Sequence, residues 1–160
     1  NFGGHTYAAG LSLKEENLDE FKRRFDALSL EMIASEMMRP QIYVDAELTF
    51  REINNKFTDD LSCFAPFGPE NLNPIFVTCG VMDYSTSKLV GKNNVHLKLE
   101  MIDRTTTVPV NGIAFRQSDS YDRVKSGEPF DICYTLEENV HNGKTNIQLY
   151  VKDIDSGQLC

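Results

Sequence analysis

The fold of the second half of the chain is decided by the stretch Val95-His96-Leu97-Lys98-Leu99-Glu100-Met101-Ile102. Apolar and polar side chains alternate along it with a period of two residues, which is typical of a β-strand with one buried face. The same alternation predicts four more strands, at residues 75–84, 108–116, 130–140 and 145–154. Residues 118–125 are predicted to form a short helix or turn. Five strands with a short helix after the third predict a small closed β-barrel.

The part of the chain before the barrel has helical periodicity instead. Apolar residues recur at three- and four-residue spacing, which predicts an amphipathic helix with one buried face, at Leu18, Phe21, Phe25, Leu28 and Met32. Residues 41–48 alternate as a strand does, and residues 50–61 predict a second, short helix. Residues 63–74 are rich in proline and glycine and predict a stiff connector between two domains.

The amino-terminal motif Gly3-Gly4-His5-Thr6-Tyr7-Ala8-Ala9-Gly10 admits two interpretations. Adjacent glycines can take positive φ and form a concavity of N–H groups that attracts phosphate, and a histidine adds a donor. Alternatively, the glycines form an ordinary turn and the small residues allow close packing. Spacing alone favours the second interpretation, because short glycine motifs match by chance.

The chain has 160 residues, 41% of them hydrophobic and 25% charged, as in a globular protein. Its net charge of −8 argues against a strongly basic nucleic-acid binder. However, residues 84–99 contain Lys88, Lys92, His96 and Lys98 and no acidic residue. A local basic stretch on an acidic chain is the pattern expected when one face alone contacts phosphates.

Motifs for metal-dependent or nucleophilic catalysis are not recognisable in the sequence. No cysteine pair and no histidine has the spacing of a zinc site, and no Gly-x-Ser-x-Gly motif occurs. No apolar run approaches the ~20 residues needed to cross a bilayer, and the amino terminus does not have the pattern of a signal peptide. We therefore predict a cytoplasmic protein that does not contact a membrane, and a chain that binds rather than cleaves.

Several motifs, in this order, resemble the DHH phosphodiesterase superfamily. Residues 3–10 resemble the signature of its DHHA1 domain, and residues 66–76 resemble a proline-rich stretch of one branch, the RecJ family of single-strand-specific exonucleases. Residues 96–99 and 148–154 resemble the nucleic-acid-binding OB domain of that family. The match departs at Glu70, where glycine is expected. The resemblance implies an α+β chain with a partial α/β DHHA1 segment at residues 1–62, a connector at 63–74 and a five-stranded OB-fold β-barrel at 75–160.

The resemblance also implies a function. The chain would be the carboxy-terminal part of a 5′-to-3′ single-stranded-DNA exonuclease of DNA repair and recombination, inactive by itself. Mn²⁺ or Mg²⁺ would be held in an upstream DHH domain, and this chain would carry no cofactor. Gly3, Gly4 and His5 would grip the substrate phosphate, with His5 stabilising negative charge in the transition state. In the barrel, single-stranded DNA would be contacted by Lys88, Lys92, His96, Lys98, Phe115, Arg116 and Lys144.

Two alternatives remain open from the sequence. In the first, the barrel is a non-catalytic adaptor that binds a protein, such as a single-strand-binding protein or a repair helicase, and the acidic net charge favours this somewhat. In the second, the parent is a DHH-family phosphodiesterase that acts on short RNA or cyclic dinucleotides. An appended OB domain argues against the second alternative, because small substrates do not need a groove that follows a strand.

Overall fold

The computed structural model describes residues 2–33, 41–141 and 144–155. The chain divides into two compact units, Asn1–Ile42 and Tyr43–Cys160. No helix within the described ranges is long and apolar enough to cross a membrane.

The first unit contains a β-hairpin and a helix. Strands β1 (Phe2–His5) and β2 (Ala8–Leu11) pair antiparallel, with Gly3 opposite Gly10 and Gly4 opposite Ala9. After a 3₁₀ turn, helix α1 (Leu18–Met32) follows at the position that the apolar spacing predicts. Within this chain no residue of α1 is buried, so the predicted apolar face is not covered by the hairpin. A two-stranded hairpin offers too little surface to cover an amphipathic helix.

The second unit is built around a closed five-stranded barrel. Its strands are β4 (Phe76–Asp83), β6 (His96–Asp103), β7 (Thr106–Ala114), β8 (Phe130–His141) and β9 (Lys144–Asp155), all within a few residues of the predicted strands. They are neighbours in the order β4-β8-β9-β7-β6, and pairing of β4 with β6 closes the barrel. β7 and β9 run parallel, and helix α3 (Tyr121–Lys125) lies between β7 and β8 in the chain. This is the OB topology that was expected.

The alternation of apolar and polar residues at positions 95–102 determines which side chains of β6 form the core of the barrel. Leu97, Leu99 and Met101 of β6 are fully buried, while the polar residues between them are only partly covered. The other strands contribute in the same way, with Val81, Phe130, Ile132, Tyr134, Leu149 and Val151 at 0–1% exposure. The Tyr134 hydroxyl and Thr78 Oγ1 form a hydrogen bond of 2.8 Å inside this core. Burial raises the pKa of Tyr134 well above its ordinary value, so this hydroxyl stays protonated.

Residues 43–62 belong to the barrel unit and not to the first unit, which differs from the predicted boundary at residue 62. Strand β3 (Ala46–Glu47) pairs with the start of β4, and Phe50 lies in the barrel core at 2% exposure. A capping box between Thr49 and Glu52 starts the 3₁₀ helix that carries Phe50. Helix α2 (Asn55–Ser62) follows and packs Phe57 edge-on against a ring of β4, with centroids 5.6 Å apart. Long-range packing of a few aromatic side chains therefore fixes this boundary.

The proline-rich segment 63–74 consequently connects α2 to β4 within one unit. It contains a cis peptide bond between Ala65 and Pro66. The Asn71 side-chain amide donates to the carbonyl oxygens of Phe64 and Pro66, each at 2.9 Å. Glu70, which stands where the family resemblance predicts glycine, has a φ of +68°. The expected glycine thus corresponds to a left-handed backbone position, where an L-residue is strained.

Candidate nucleic-acid interface

The pairing of the strands assembles one row of side chains across the outside of the barrel. The short strand β5 (Lys88–Val90) places Lys88 opposite Lys98 of β6. Lys98 lies opposite Ile113 of β7, and Ile113 lies opposite Tyr150 of β9. All four side chains point away from the core, because their neighbours in sequence on β6, β7 and β9 are the buried ones. The row therefore joins two cations and an aromatic ring on one surface.

His96 and Phe115, two residues from Lys98 and Ile113 along the chain, are aromatic, and Phe115 lies next to the Tyr150 ring. The ring centroids of His96 and Phe115 are 5.0 Å apart, and those of Phe115 and Tyr150 are 5.2 Å apart. The Lys152 ammonium lies 3.8 Å from the centre of the Tyr150 ring, a cation–π contact. Phe115 is 44% exposed, so its ring is accessible to a ligand. We call Lys88, Lys98, His96, Phe115, Tyr150 and Lys152 together the barrel face.

Backbone geometry holds the histidine of the barrel face in place. His96 Nδ1 accepts a hydrogen bond of 3.0 Å from the Arg116 backbone N–H. Gly91 has a φ of +83°, and a Cβ at this position would lie 2.6 Å from His96 Cδ2. Only glycine satisfies both the backbone conformation and the close approach of the ring.

The structure brings most of the predicted barrel residues together. Lys88, His96, Lys98 and Phe115 lie on the barrel face, and the Arg116 backbone contacts it. Lys92 lies in the exposed turn between β5 and β6. Lys144 pairs with His141 through its backbone, and its side chain lies outside the described part of the structure.

Charge on this side of the barrel is mixed but locally positive. In the described part of the chain, no carboxylate forms an ion pair with Lys88, Lys92 or Lys98. Glu100 shares the outward face of β6 two residues beyond Lys98, and its carboxylate accepts a hydrogen bond of 2.7 Å from Thr86 Oγ1. The three lysines are therefore available to an anionic ligand, and Glu100 limits the positive area on one side.

Tyr150 and Lys152 are the residues of the barrel face that the sequence analysis missed. Both lie on β9, at the positions that alternate with the buried Leu149 and Val151. The period-two pattern that predicted β9 contained this information. What it lacked was the pairing of β9 with β7, which places the two side chains beside Phe115.

The amino-terminal motif has a different geometry from the predicted loop. Gly3 and Gly4 lie in strand β1, and neither takes a positive φ. A Cβ on Gly4 would lie 2.8 Å from the Cβ of Ala9, so the small residues allow close packing of the hairpin. His5 Nδ1 accepts a long hydrogen bond of 3.4 Å from the Tyr7 N–H. The two glycines therefore do not have the positive φ that a phosphate loop of this kind would use, and substrate binding by Gly3, Gly4 and His5 stays a prediction.

Gly3, Gly4 and His5 nevertheless line a cleft of about 1000 Å³ in the first unit, together with Arg24 of α1. Arg24 and Arg23 both form ion pairs with Glu20 at the carboxylate oxygens of that residue. Over residues 2–33, 41–141 and 144–155, no three His, Cys, Asp or Glu side chains are grouped so that they could hold a metal ion.

Comparison with known proteins agrees with this architecture. The family model of the RecJ OB domain matches residues 44–153. The single-stranded-DNA-specific exonuclease RecJ of Dickeya dadantii is 31% identical over 154 residues, covering 96% of this chain and 26% of that protein. The RecJ exonuclease of Haemophilus influenzae is 28% identical over 157 residues, covering 96% of this chain and 27% of that protein. This chain thus spans about a quarter of the length of the curated relatives it matches.

A crystal structure of RecJ from Thermus thermophilus in complex with Mg²⁺ has the same fold. It superposes with a TM-score of 0.74 at 20% identity, covering 99% of this chain and 23% of that chain. The match of the family model begins at residue 44, close to the start of the barrel unit at Tyr43.

Proposed function

This chain belongs to the RecJ OB domain family, and from that membership we propose that it is the DNA-binding part of a single-stranded-DNA exonuclease. The observation that carries the proposal is the barrel face, where lysines that form no ion pair with a described carboxylate lie beside the accessible ring of Phe115. The relatives are named as exonucleases, and the chain matches about a quarter of their length. We place phosphodiester hydrolysis, with Mn²⁺ or Mg²⁺, in the remainder of the parent enzyme, acting in the 5′-to-3′ direction during repair and recombination.

The barrel face has the two features that single-strand binding requires. Lysines neutralise phosphates and release counterions, which makes affinity depend on salt. Aromatic rings stack on bases of any sequence, each contributing about 1–3 kcal/mol. Because the rings of His96, Phe115 and Tyr150 follow one another across β6, β7 and β9, a bound strand would cross the barrel strands rather than run along them.

The amino-terminal unit would complete the substrate site in the full enzyme. In this proposal, His5 contacts the phosphate to be cleaved, and the cleft it shares with Gly3, Gly4 and Arg24 admits the end of the strand. His5→Ala in the full-length enzyme is expected to lower turnover of a single-stranded substrate without changing oligonucleotide affinity of the barrel. Unchanged turnover would remove His5 from the active site.

The test of the barrel face is a salt titration with a fluorescent oligothymidine of about 15 nucleotides, within the usual site sizes of such domains. Affinity is expected to fall linearly on a log–log plot against salt. Each of Lys88→Ala, Lys92→Ala and Lys98→Ala should reduce the slope by about 0.7, and the triple variant by about 2. Lys56→Ala is the control, since this lysine is also accessible to solvent but lies on α2 in an ion pair with Asp60.

A second arm tests stacking. Tyr150→Ala is expected to weaken binding by about 5- to 150-fold, which corresponds to about 1–3 kcal/mol. Phe64→Ala, which removes another exposed ring at 68% exposure, should leave affinity unchanged. If the wild-type chain shows no salt-dependent binding, or if Tyr150→Ala and Phe64→Ala behave alike, the barrel face does not bind DNA. The net charge of −8 would then favour an adaptor that binds a protein.

A further inference from the structure

A small apolar pocket lies on another part of the barrel unit, where α2, the segment 63–74 and the far part of β8 meet. Its volume is about 170 Å³. Leu61, Ala65, Phe67 and Leu136 are the apolar residues of its lining, which also includes Glu137 and Glu138. We call this the connector pocket. None of these residues belongs to the barrel face.

The connector pocket has a fixed wall. Asn71 ties the carbonyl oxygens of Phe64 and Pro66 to one another through two hydrogen bonds of 2.9 Å, and the backbones of Gly68 and Asn71 are also paired. The segment that carries Ala65 and Phe67 is therefore held in one conformation before any ligand arrives. Two large apolar side chains of the same segment are left exposed, Phe64 at 68% and Leu72 at 78%.

The size of the connector pocket selects the kind of ligand. Sites for cofactors and drug-sized molecules usually measure about 300–1000 Å³. A volume of about 170 Å³ is too small for these but suits one large apolar side chain. Insertion of a single anchor side chain into a preformed pocket is the common way in which a protein interface gains affinity. Exposed Phe64 and Leu72 provide apolar surface on the same segment for the residues around the anchor.

The charge at the connector pocket indicates the charge of the partner that would bind there. Glu137 and Glu138 are both exposed, and neither forms an ion pair with any described residue. Two unpaired carboxylates repel phosphates and acidic peptides and attract lysine and arginine. The surface at the connector pocket is therefore acidic, whereas the barrel face carries lysines.

We propose that the connector pocket is a docking site for a protein partner that inserts one large apolar side chain flanked by lysines or arginines. This proposal does not depend on DNA binding by the barrel face. It also differs from docking of an acidic tail, which Glu137 and Glu138 would oppose.

The test uses the 160-residue chain and three matched synthetic peptides. The first has one phenylalanine flanked by lysines, the second has alanine in place of that phenylalanine, and the third has glutamates in place of the lysines. Fluorescence anisotropy should detect binding of the first peptide only. Glu138→Lys should weaken it by about fivefold, whereas Glu128→Lys, an equal change of charge at another exposed site, should leave it unchanged.

A variant that fills the pocket separates insertion from general charge attraction. Ser62→Phe places a ring at the lining of the pocket and should abolish binding of the first peptide while thermal melting stays cooperative. Lys98→Ala should weaken oligonucleotide binding and leave peptide binding unchanged, so the two proposals fail separately.

The proposal is overturned if the first peptide does not bind, if the acidic peptide binds as well, or if Glu138→Lys and Glu128→Lys have equal effects. It is also overturned if the chain is a dimer that Ser62→Phe converts to a monomer, because a second copy would then occupy the pocket.

Discussion

Phe50→Ala tests whether residues 43–62 are part of the barrel. Phe50 is 2% exposed and belongs to the same apolar cluster as the strands, and its backbone N–H donates to Asp103 Oδ2 at 2.8 Å. Truncation leaves the backbone bond in place and removes a buried ring. Loss of ring burial together with the cavity that remains is expected to lower the free energy of unfolding by about 3–5 kcal/mol. If residues 43–62 instead formed part of the first unit, the barrel would not be affected.

The assay is urea denaturation followed by tyrosine fluorescence. The chain has no tryptophan, and every tyrosine except Tyr7 lies in the barrel unit, so the signal reports mainly on the barrel. Phe25→Ala is the control, because this ring on α1 is 59% exposed and its loss should change stability by less than about 0.5 kcal/mol. A loss below about 1 kcal/mol for Phe50→Ala, far under the range for a buried ring, would refute the assignment of residues 43–62 to the barrel.

Three further substitutions test the backbone and the charges of the barrel unit. Glu70 has a φ of +68°, so Glu70→Gly should raise the free energy of unfolding by about 0.5–1 kcal/mol by removing backbone strain. A lower melting temperature of this variant would contradict the prediction. Burial alone would raise the pKa of Asp103, but hydrogen bonds from backbone amides and a hydroxyl hold that pKa below its ordinary value. The stability that charged Asp103 contributes is therefore present at neutral pH and lost as pH falls through this lowered pKa. In Asp103→Asn, the urea concentration at the unfolding midpoint should therefore decrease less as the pH is lowered. Gly91→Ala should weaken oligonucleotide binding by displacing His96, whereas Gly127→Ala, with a similar φ of +82° but open space around it, should reduce stability alone.

The sequence predicted the barrel well because a barrel strand has a strict local signature. The alternation of Leu97, Leu99 and Met101 with polar residues is visible without any knowledge of the partner strands. The assignment of residues 43–62 could not be predicted in this way. Periodicity identifies the apolar face of the short helices around Phe50 and Phe57, but it does not say which surface covers that face. Strand β5 was missed because three residues are too few to show a period.

The candidate site was predictable in part for the same reason. His96, Lys98 and Phe115 were named because they lie in or beside strands that were recognised, and Lys88 because it belongs to the basic stretch at residues 84–99. Tyr150 was not named, because its proximity to Phe115 arises from the parallel pairing of β7 with β9, a long-range feature. At the amino terminus, two adjacent glycines permit a positive φ but do not require one, and the contact of Gly4 with Ala9 supplies another reason for a small residue there.

The overall acidity of the chain is compatible with the proposed binding of DNA by the barrel face, because the strands separate the charges. Lys88 and Lys98 are adjacent in one row across β5 and β6, while Glu137 and Glu138 lie at the connector pocket on β8. Electrostatic attraction extends over only about 10 Å at 0.1 M salt, so a nucleic acid strand at the lysine row experiences mainly those lysines. At lower salt the screening length increases, and the net charge of −8 then also acts on the strand. Because only a few lysines contribute, binding by this chain alone should be weak, and in the proposed parent enzyme the remainder would have to bring the strand to the barrel face.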